Sequence, residues 1–138
     1  NLIVSTRGEA APGAYFRMAE TIAGMWETHL GVQVDVEAVG NMGQYIERLQ
    51  TDLPDIYQLG WGADFNDPDN FLRALFHSAS EMNYGHFTNR EFDRLVDEAA
   101  NLSDPAERQL LYIQAEEILT KQEAGVIPLY HTLYYQQP

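Results

Sequence analysis

The sequence contains no cysteine, and that one absence removes disulfide scaffolds, thiolate metal sites and cysteine nucleophiles together. Positive charge is scarce: 8 Lys and Arg stand against 21 Asp and Glu, a formal net charge of -13. Nucleic-acid binding needs clustered Lys and Arg to neutralise phosphates, so no nucleic-acid partner is expected. No stretch approaches the roughly 18 consecutive apolar residues of a membrane-spanning helix. Internal repeats and low-complexity tracts are missing, as are HExxH, G-x-S-x-G, a Walker loop and a dinucleotide fingerprint. The apolar run Leu2 to Thr6 is too short for an export signal and has no basic leader. The chain starts without Met and runs directly into a strand-like segment, as expected of a domain cut from a longer protein.

What is present describes a folded chain. Its 138 residues are 45% hydrophobic and 12% aromatic, enough to bury a core without staples. Leu2 to Thr6 reads as a buried strand. Tyr15, Met18, Ala19, Ile22, Trp26 and Leu30 recur at helical spacing up to a stop at Gly31, with His29 suited to the helix end. Val32, Val34 and Val36 alternate with polar residues as a second strand. Gly40 to Gly43 is a turn, Tyr45, Ile46 and Leu49 mark one face of a helix, and Ile56 to Trp61 is a third strand. Helices are then predicted from an Asp67-Pro68 cap, from a Thr88/Glu91 capping box, and from Asp104-Pro105. The last of these carries Leu110, Leu111, Ile113, Ile118 and Leu119, and Val126 to Tyr135 is a final strand with an edge-type Pro128. Tyr15, Trp26, Phe71, Phe92 and Tyr112 are expected in the core. Alternating strands and helices predict an α/β fold with a mostly parallel sheet flanked by helices. Ligands on such sheets bind beyond the carboxyl ends of the strands, which directs attention to Gly60–Asp67.

The densest polar stretch is Asp64-Phe65-Asn66-Asp67-Pro68-Asp69-Asn70. Read as a calcium loop from Asp64, it has Pro68 at position five, Asp69 in place of the turn glycine and Leu75 in place of the last glutamate, so the pattern fails. Asp64 and Asp67 could instead form an acid/base pair, as in glycoside hydrolysis. Against that, Asp67 falls at a helix N-cap, which uses its lone pairs structurally, whereas Asp64 lies outside the cap. None of His29, His77, His86 and His131 pairs with a carboxylate at metal-ligand spacing. No catalytic residue, metal site or cofactor is expected.

As a whole, Gly60-Trp61-Gly62-Ala63-Asp64-Phe65-Asn66-Asp67-Pro68-Asp69-Asn70-Phe71-Leu72 resembles a segment of the oligopeptide-, dipeptide- and nickel-type solute-binding proteins of bacterial ABC importers. There a Trp, two residues and an Asp precede an aromatic, an Asp-Pro pair and a helix opening in Phe-Leu. Thr88 to Ala99, Asp104 to Arg108 with Ala115 to Leu119, and Ile127 to His131 resemble later parts of the same proteins, in the same order. The resemblance implies a two-lobed receptor of the type II periplasmic-binding-protein kind, with residues 1–138 as a single lobe, the C-terminal one. The N-terminal lobe of the same chain would be a missing partner, and Asn1 and Pro138 would lie close together at the hinge.

It further implies an oligopeptide or dipeptide ligand, ABC permease subunits as membrane partners, and an extracytoplasmic location compatible with a lipid anchor on the full-length protein. By analogy Asp64 holds the ligand's α-ammonium group and Trp61 lines a side-chain pocket. The backbone at Gly60 and Gly62 bonds the peptide main chain, and Tyr45 faces the ligand. Tyr130 and His131 are weaker candidates. Relatives on the same fold bind nickel chelates or oligosaccharides, and these solutes remain alternatives, as does a carboxylate hydrolase.

Overall fold

The computed structural model describes residues 2–5 and 13–131. The chain divides into two compact units, 1–62 and 63–138.

The first unit is a parallel α/β unit. Strand β1 (Leu2–Ser5) lies between β2 (Val36–Val39) and β3 (Ile56–Tyr57), and both pairings are parallel. Parallel neighbours need crossovers, and helices α1 (Ala14–Leu30) and α2 (Met42–Thr51) supply them. Leu2 packs with Phe16 and Ala19 of α1 and with Val34 and Val36. Side chains alternate across a strand, so Ile3, also fully buried, points to the opposite face. Gly31 ends α1 in the left-handed conformation, φ 68°, and returns its N–H to the Glu27 carbonyl at 3.1 Å.

Two strands are shorter than their sequence patterns. The second starts at Val36, not Val32, because pairing with β1 begins where Leu2 donates to the Asp35 carbonyl at 2.8 Å. Val34 and Val36 still pack inward, while Val32 is exposed. The third stops at Tyr57, with a further bond from Gln58 N–H to the Ile3 carbonyl at 3.2 Å. The supposed turn at Gly40 to Gly43 holds a capping box: Asn41 accepts from Gln44 N–H at 3.0 Å, and the Gln44 side chain accepts from Asn41 N–H at 3.3 Å.

The second unit is helical over its described residues. Asp67 caps a 3-10 turn, Pro68–Asn70, which leads into the short helix α3 (Leu72–Phe76). Helices α4 (Arg90–Asn101) and α5 (Pro105–Glu117) follow, and a π turn, Ile118–Gln122, continues α5. The core joins Phe92, Leu95, Val96 and Ala99 to Tyr112, Ala115, Ile118 and Leu119. Burying each large apolar side chain fully contributes about 1.5–3 kcal/mol. Gly125 is required here, because a Cβ would stand 2.7 Å from the Phe87 ring.

Several sequence expectations change in this unit. The N-cap of α4 is Asn89, which accepts from Glu91 N–H and Phe92 N–H, both at 3.0 Å; Thr88 is not the cap. Leu110 and Ile113 face outward, because the buried stripe of α5 runs through Tyr112, Ala115 and Leu119. Phe71 is exposed at the junction of two short helical pieces, and Asn70 is buried beside it. Residues 126–131 form no strand, with Ile127, Leu129 and Tyr130 exposed. The rest of that expected strand, and the expected approach of Asn1 to Pro138, fall outside the described residues.

Candidate functional site

The stretch following β3 contains Gly60, Trp61 and Gly62. Gly60 and Gly62 are exposed, and a Cβ added at either would meet nothing within 4 Å. Neither has the positive φ that would demand glycine. The space above both peptide units is therefore open to another backbone. Trp61 between them is half-buried.

Tyr45, expected to face a ligand, is fully buried in the first unit. Its hydroxyl donates to the Gln58 carbonyl at 2.6 Å and accepts the Gln58 N–H at 3.1 Å, with the Ile3 carbonyl at 3.2 Å. Burial pushes the hydroxyl above the ordinary tyrosine range. Tyr45 thus ties α2 to β1 at Ile3 and to Gln58, the residue after β3, and its polar tip is taken up by backbone groups.

The two aspartates singled out in the second unit have different surroundings. Asp64 is exposed, and among the described residues no Arg, Lys or His pairs with it. Its backbone N–H donates to Asn70 Oδ1 at 3.0 Å, and its Oδ2 accepts from Asn70 Nδ2 at 3.4 Å. Asp67 accepts from Asp69 N–H at 2.9 Å as the cap. It also takes a two-pronged contact from Arg108, at 2.8 Å and 3.1 Å. That guanidinium holds the Asp67 carboxyl below the ordinary aspartate range.

Arg108 is the residue that sequence reasoning missed. Its Nε also donates to the Ala99 carbonyl at 2.9 Å, and it bonds the Tyr112 hydroxyl at 3.3 Å. Tyr112 in turn donates to Asp69 Oδ1 at 3.1 Å. The loop from Asp67 to Asp69 is therefore pinned to α5 by a cation and a phenol 41 to 43 residues away in sequence. A capped turn announces itself locally; its distant counter-charge has no local signature.

A second polar cluster braces α3 on α4. Arg73 Nε donates to Asp97 at 2.9 Å, and His77 Nε2 lies 3.3 Å from the other Asp97 oxygen. His77 Nδ1 accepts the Ala79 N–H at 3.0 Å, which assigns the ring proton to Nε2. Sequence spacing gave His77 no carboxylate partner; the packing of α3 on α4 supplies one. Among the described residues no group of three or more His, Asp and Glu is arranged to hold a metal ion, and no helix is long and apolar enough to cross a membrane.

Comparison with known proteins reaches one group from three directions. Bacterial extracellular solute-binding proteins, family 5, in their middle region, match residues 2–83, more than half of the chain. The periplasmic oligopeptide-binding protein OppA of Salmonella typhimurium is 30% identical over 115 residues, 83% of this chain and 21% of that protein. Heme-binding protein A of Haemophilus influenzae is 36% identical over 119 residues, 85% of this chain and 21% of that protein. Among solved structures, the ABC transporter-associated periplasmic binding protein DppA of Helicobacter pylori, in complex with the peptide STSA, superposes with a TM-score of 0.73. It is 26% identical and covers 89% of this chain and 23% of that one. The chain thus spans about a fifth of the length of the relatives it matches. Structural neighbours of this kind are type II periplasmic binding proteins, in agreement with a parallel sheet flanked by helices.

Proposed function

The chain belongs to the bacterial extracellular solute-binding proteins, family 5, and from that premise we propose that it forms part of the C-terminal lobe of an extracytoplasmic receptor that binds peptides for an ABC importer. The remaining four-fifths of such a receptor would supply the opposing surface, and permease subunits would be its membrane partners. The observation that carries the reading is Asp64: an exposed carboxylate with no cation of its own among the described residues, close in sequence to two glycines that nothing nearby requires. A peptide offers the complementary groups. Its ammonium pairs with Asp64, and its main chain bonds the open backbone at Gly60 and Gly62 whatever its side chains, which gives affinity without sequence selectivity. Trp61 contributes an apolar wall for one ligand side chain.

Asp67 supports a binding role over catalysis. A carboxyl held ionised by Arg108 is a poor proton donor at neutral pH, so Asp67 does not suit the role of acid in such a pair. A second reading keeps the fold and changes the solute, and the heme-binding relative at 36% identity favours it. Asp64 weighs toward an amine-bearing ligand.

Calorimetric titration of the full-length receptor separates the readings. Asp64→Asn preserves shape and removes charge. A charge-assisted bond contributes about 1.5–3 kcal/mol, so affinity for a free tripeptide falls roughly ten- to a hundredfold. The loss largely vanishes for the N-acetylated peptide, which has no ammonium. Equal losses for the two peptides would mean that Asp64 shapes the loop and holds no amine.

A further inference from the structure

We propose that Asn70 is a positioning residue for Asp64: its buried amide fixes where that carboxylate points and so sets how strongly the site prefers a free amine to a blocked one. The proposal rests on the reading of Asp64 as the partner of a ligand ammonium. Asn70 is only 4% exposed, and both ends of its amide serve the same residue. Oδ1 accepts the Asp64 backbone N–H at 3.0 Å, while Nδ2 donates to Asp64 Oδ2 at 3.4 Å. One rigid planar group therefore holds the main chain and the side chain of Asp64 together.

The amide carries a donor and an acceptor on one short plane; ionised Asp lacks the donor and Leu lacks both. Asn83, the other buried polar side chain among the described residues, clasps backbone groups of His77 and Phe87. That is an ordinary loop brace. Asn70 differs in bonding a carboxylate that is otherwise exposed.

The support behind Asn70 is itself fixed. It is the last residue of the 3-10 turn, whose first N–H, that of Asp69, is capped by Asp67, and Asp67 is gripped by Arg108. Rigidity passes from α5 through the turn to Asn70 and from there to Asp64. A carboxylate has roughly four lone-pair sites, so one bond from Asn70 leaves the others for an ammonium. An oriented carboxylate also loses less rotamer freedom on binding than one that samples several orientations.

The test is titration of the full-length receptor with a free tripeptide and its N-acetylated form. It compares the wild type with Asn70→Ala, Asn70→Asp, Asp64→Asn and the Asp64→Asn/Asn70→Ala double variant, with melting curves to establish folding. In Asn70→Ala the affinity for the free peptide falls about tenfold, as for loss of a hydrogen bond to a charged group, and the acetylated peptide is nearly unaffected. In the double variant the Asn70 change adds less than about twofold, because the two residues act as one unit.

Asn70→Asp keeps the acceptor for Asp64 N–H, so it tests the proposal even where Asn70→Ala does not fold. Two carboxylates then crowd each other and one takes up a proton more readily. The pH at which free-peptide affinity changes moves up by about one unit or more, with no such step for the acetylated peptide. Equal losses for both peptides in Asn70→Ala, additive losses in the double variant, or an unmoved pH profile in Asn70→Asp would each overturn the proposal. If Asp64→Asn itself treats the two peptides alike, the ammonium reading fails first and this proposal falls with it.

Discussion

At the scale of single residues, the useful contrast is between polar groups that the fold consumes and those it leaves over. Tyr45 is consumed. Its hydroxyl meets the N–H and the carbonyl of Gln58, the residue after β3, whose N–H also bonds the Ile3 carbonyl. Tyr45→Phe leaves the Gln58 carbonyl, in a half-buried setting, without this partner. The variant should lose about 1–3 kcal/mol of unfolding free energy in a denaturant titration. Peptide affinity of the folded receptor should stay within about twofold, since no ligand contact is removed and a twofold change is well under 1 kcal/mol. A large affinity loss without a stability loss would return Tyr45 to the ligand face. Asp67 is consumed too, by its cap and by Arg108, whereas among the described residues Asp64 has the amide of Asn70 as its polar side-chain partner. Sequence gave the cap, because Asp-Pro before an apolar run is a local signal. It could not give Arg108 or Asn70, which matter through where the turn and α5 bring them.

At the scale of elements, caps and periodicities were legible in proportion to how local they are. Helix α1 ends at Gly31 and α5 begins at Asp104-Pro105 as their end signals require. The sequence pattern puts the start of α4 one residue early, because Thr88 with Glu91 fits the spacing of a capping box as well as Asn89 fits a simple cap. The geometry separates the two: Asn89 accepts from two first-turn N–H groups, those of Glu91 and Phe92. Asn89→Ala should therefore destabilise the protein by about 0.5–2 kcal/mol, and Thr88→Ala should change stability by less than about 0.5 kcal/mol. Thermal or denaturant melts of the two variants decide it, and the reverse order would restore the capping box.

Strand length was the least legible property. A strand's sequence pattern describes which side chains alternate, but its extent is set by the partner. β1 is four residues long, so β2 pairs over four residues although the valine alternation starts earlier. The apolar run from Val126 likewise reads as a strand, yet residues 126–131 have no strand to pair with among the described residues. On α5, four apolar residues within a turn allowed two stripes, and only packing against α4 selected Tyr112 and Ala115 over Leu110 and Ile113.

At the scale of the whole molecule, the chain comprises a parallel α/β unit and a helical unit, each with its own core, and its relatives are about five times longer. The α/β class was legible from the alternation of strand and helix patterns. The family was legible from one contiguous stretch, Gly60 to Leu72, supported by three shorter ones in order. The ligand was not legible to the same degree, since a relative named for heme is at least as similar as one named for oligopeptides. The most direct test of the central claim is the crystal structure of the full-length receptor grown with a saturating free tripeptide. The peptide's terminal nitrogen should lie about 2.7–2.9 Å from an Asp64 oxygen, the distance of a charge-assisted bond, with Asp67 still on Arg108. A peptide whose ammonium is held elsewhere, or a non-peptide solute that the tripeptide fails to displace, would contradict it.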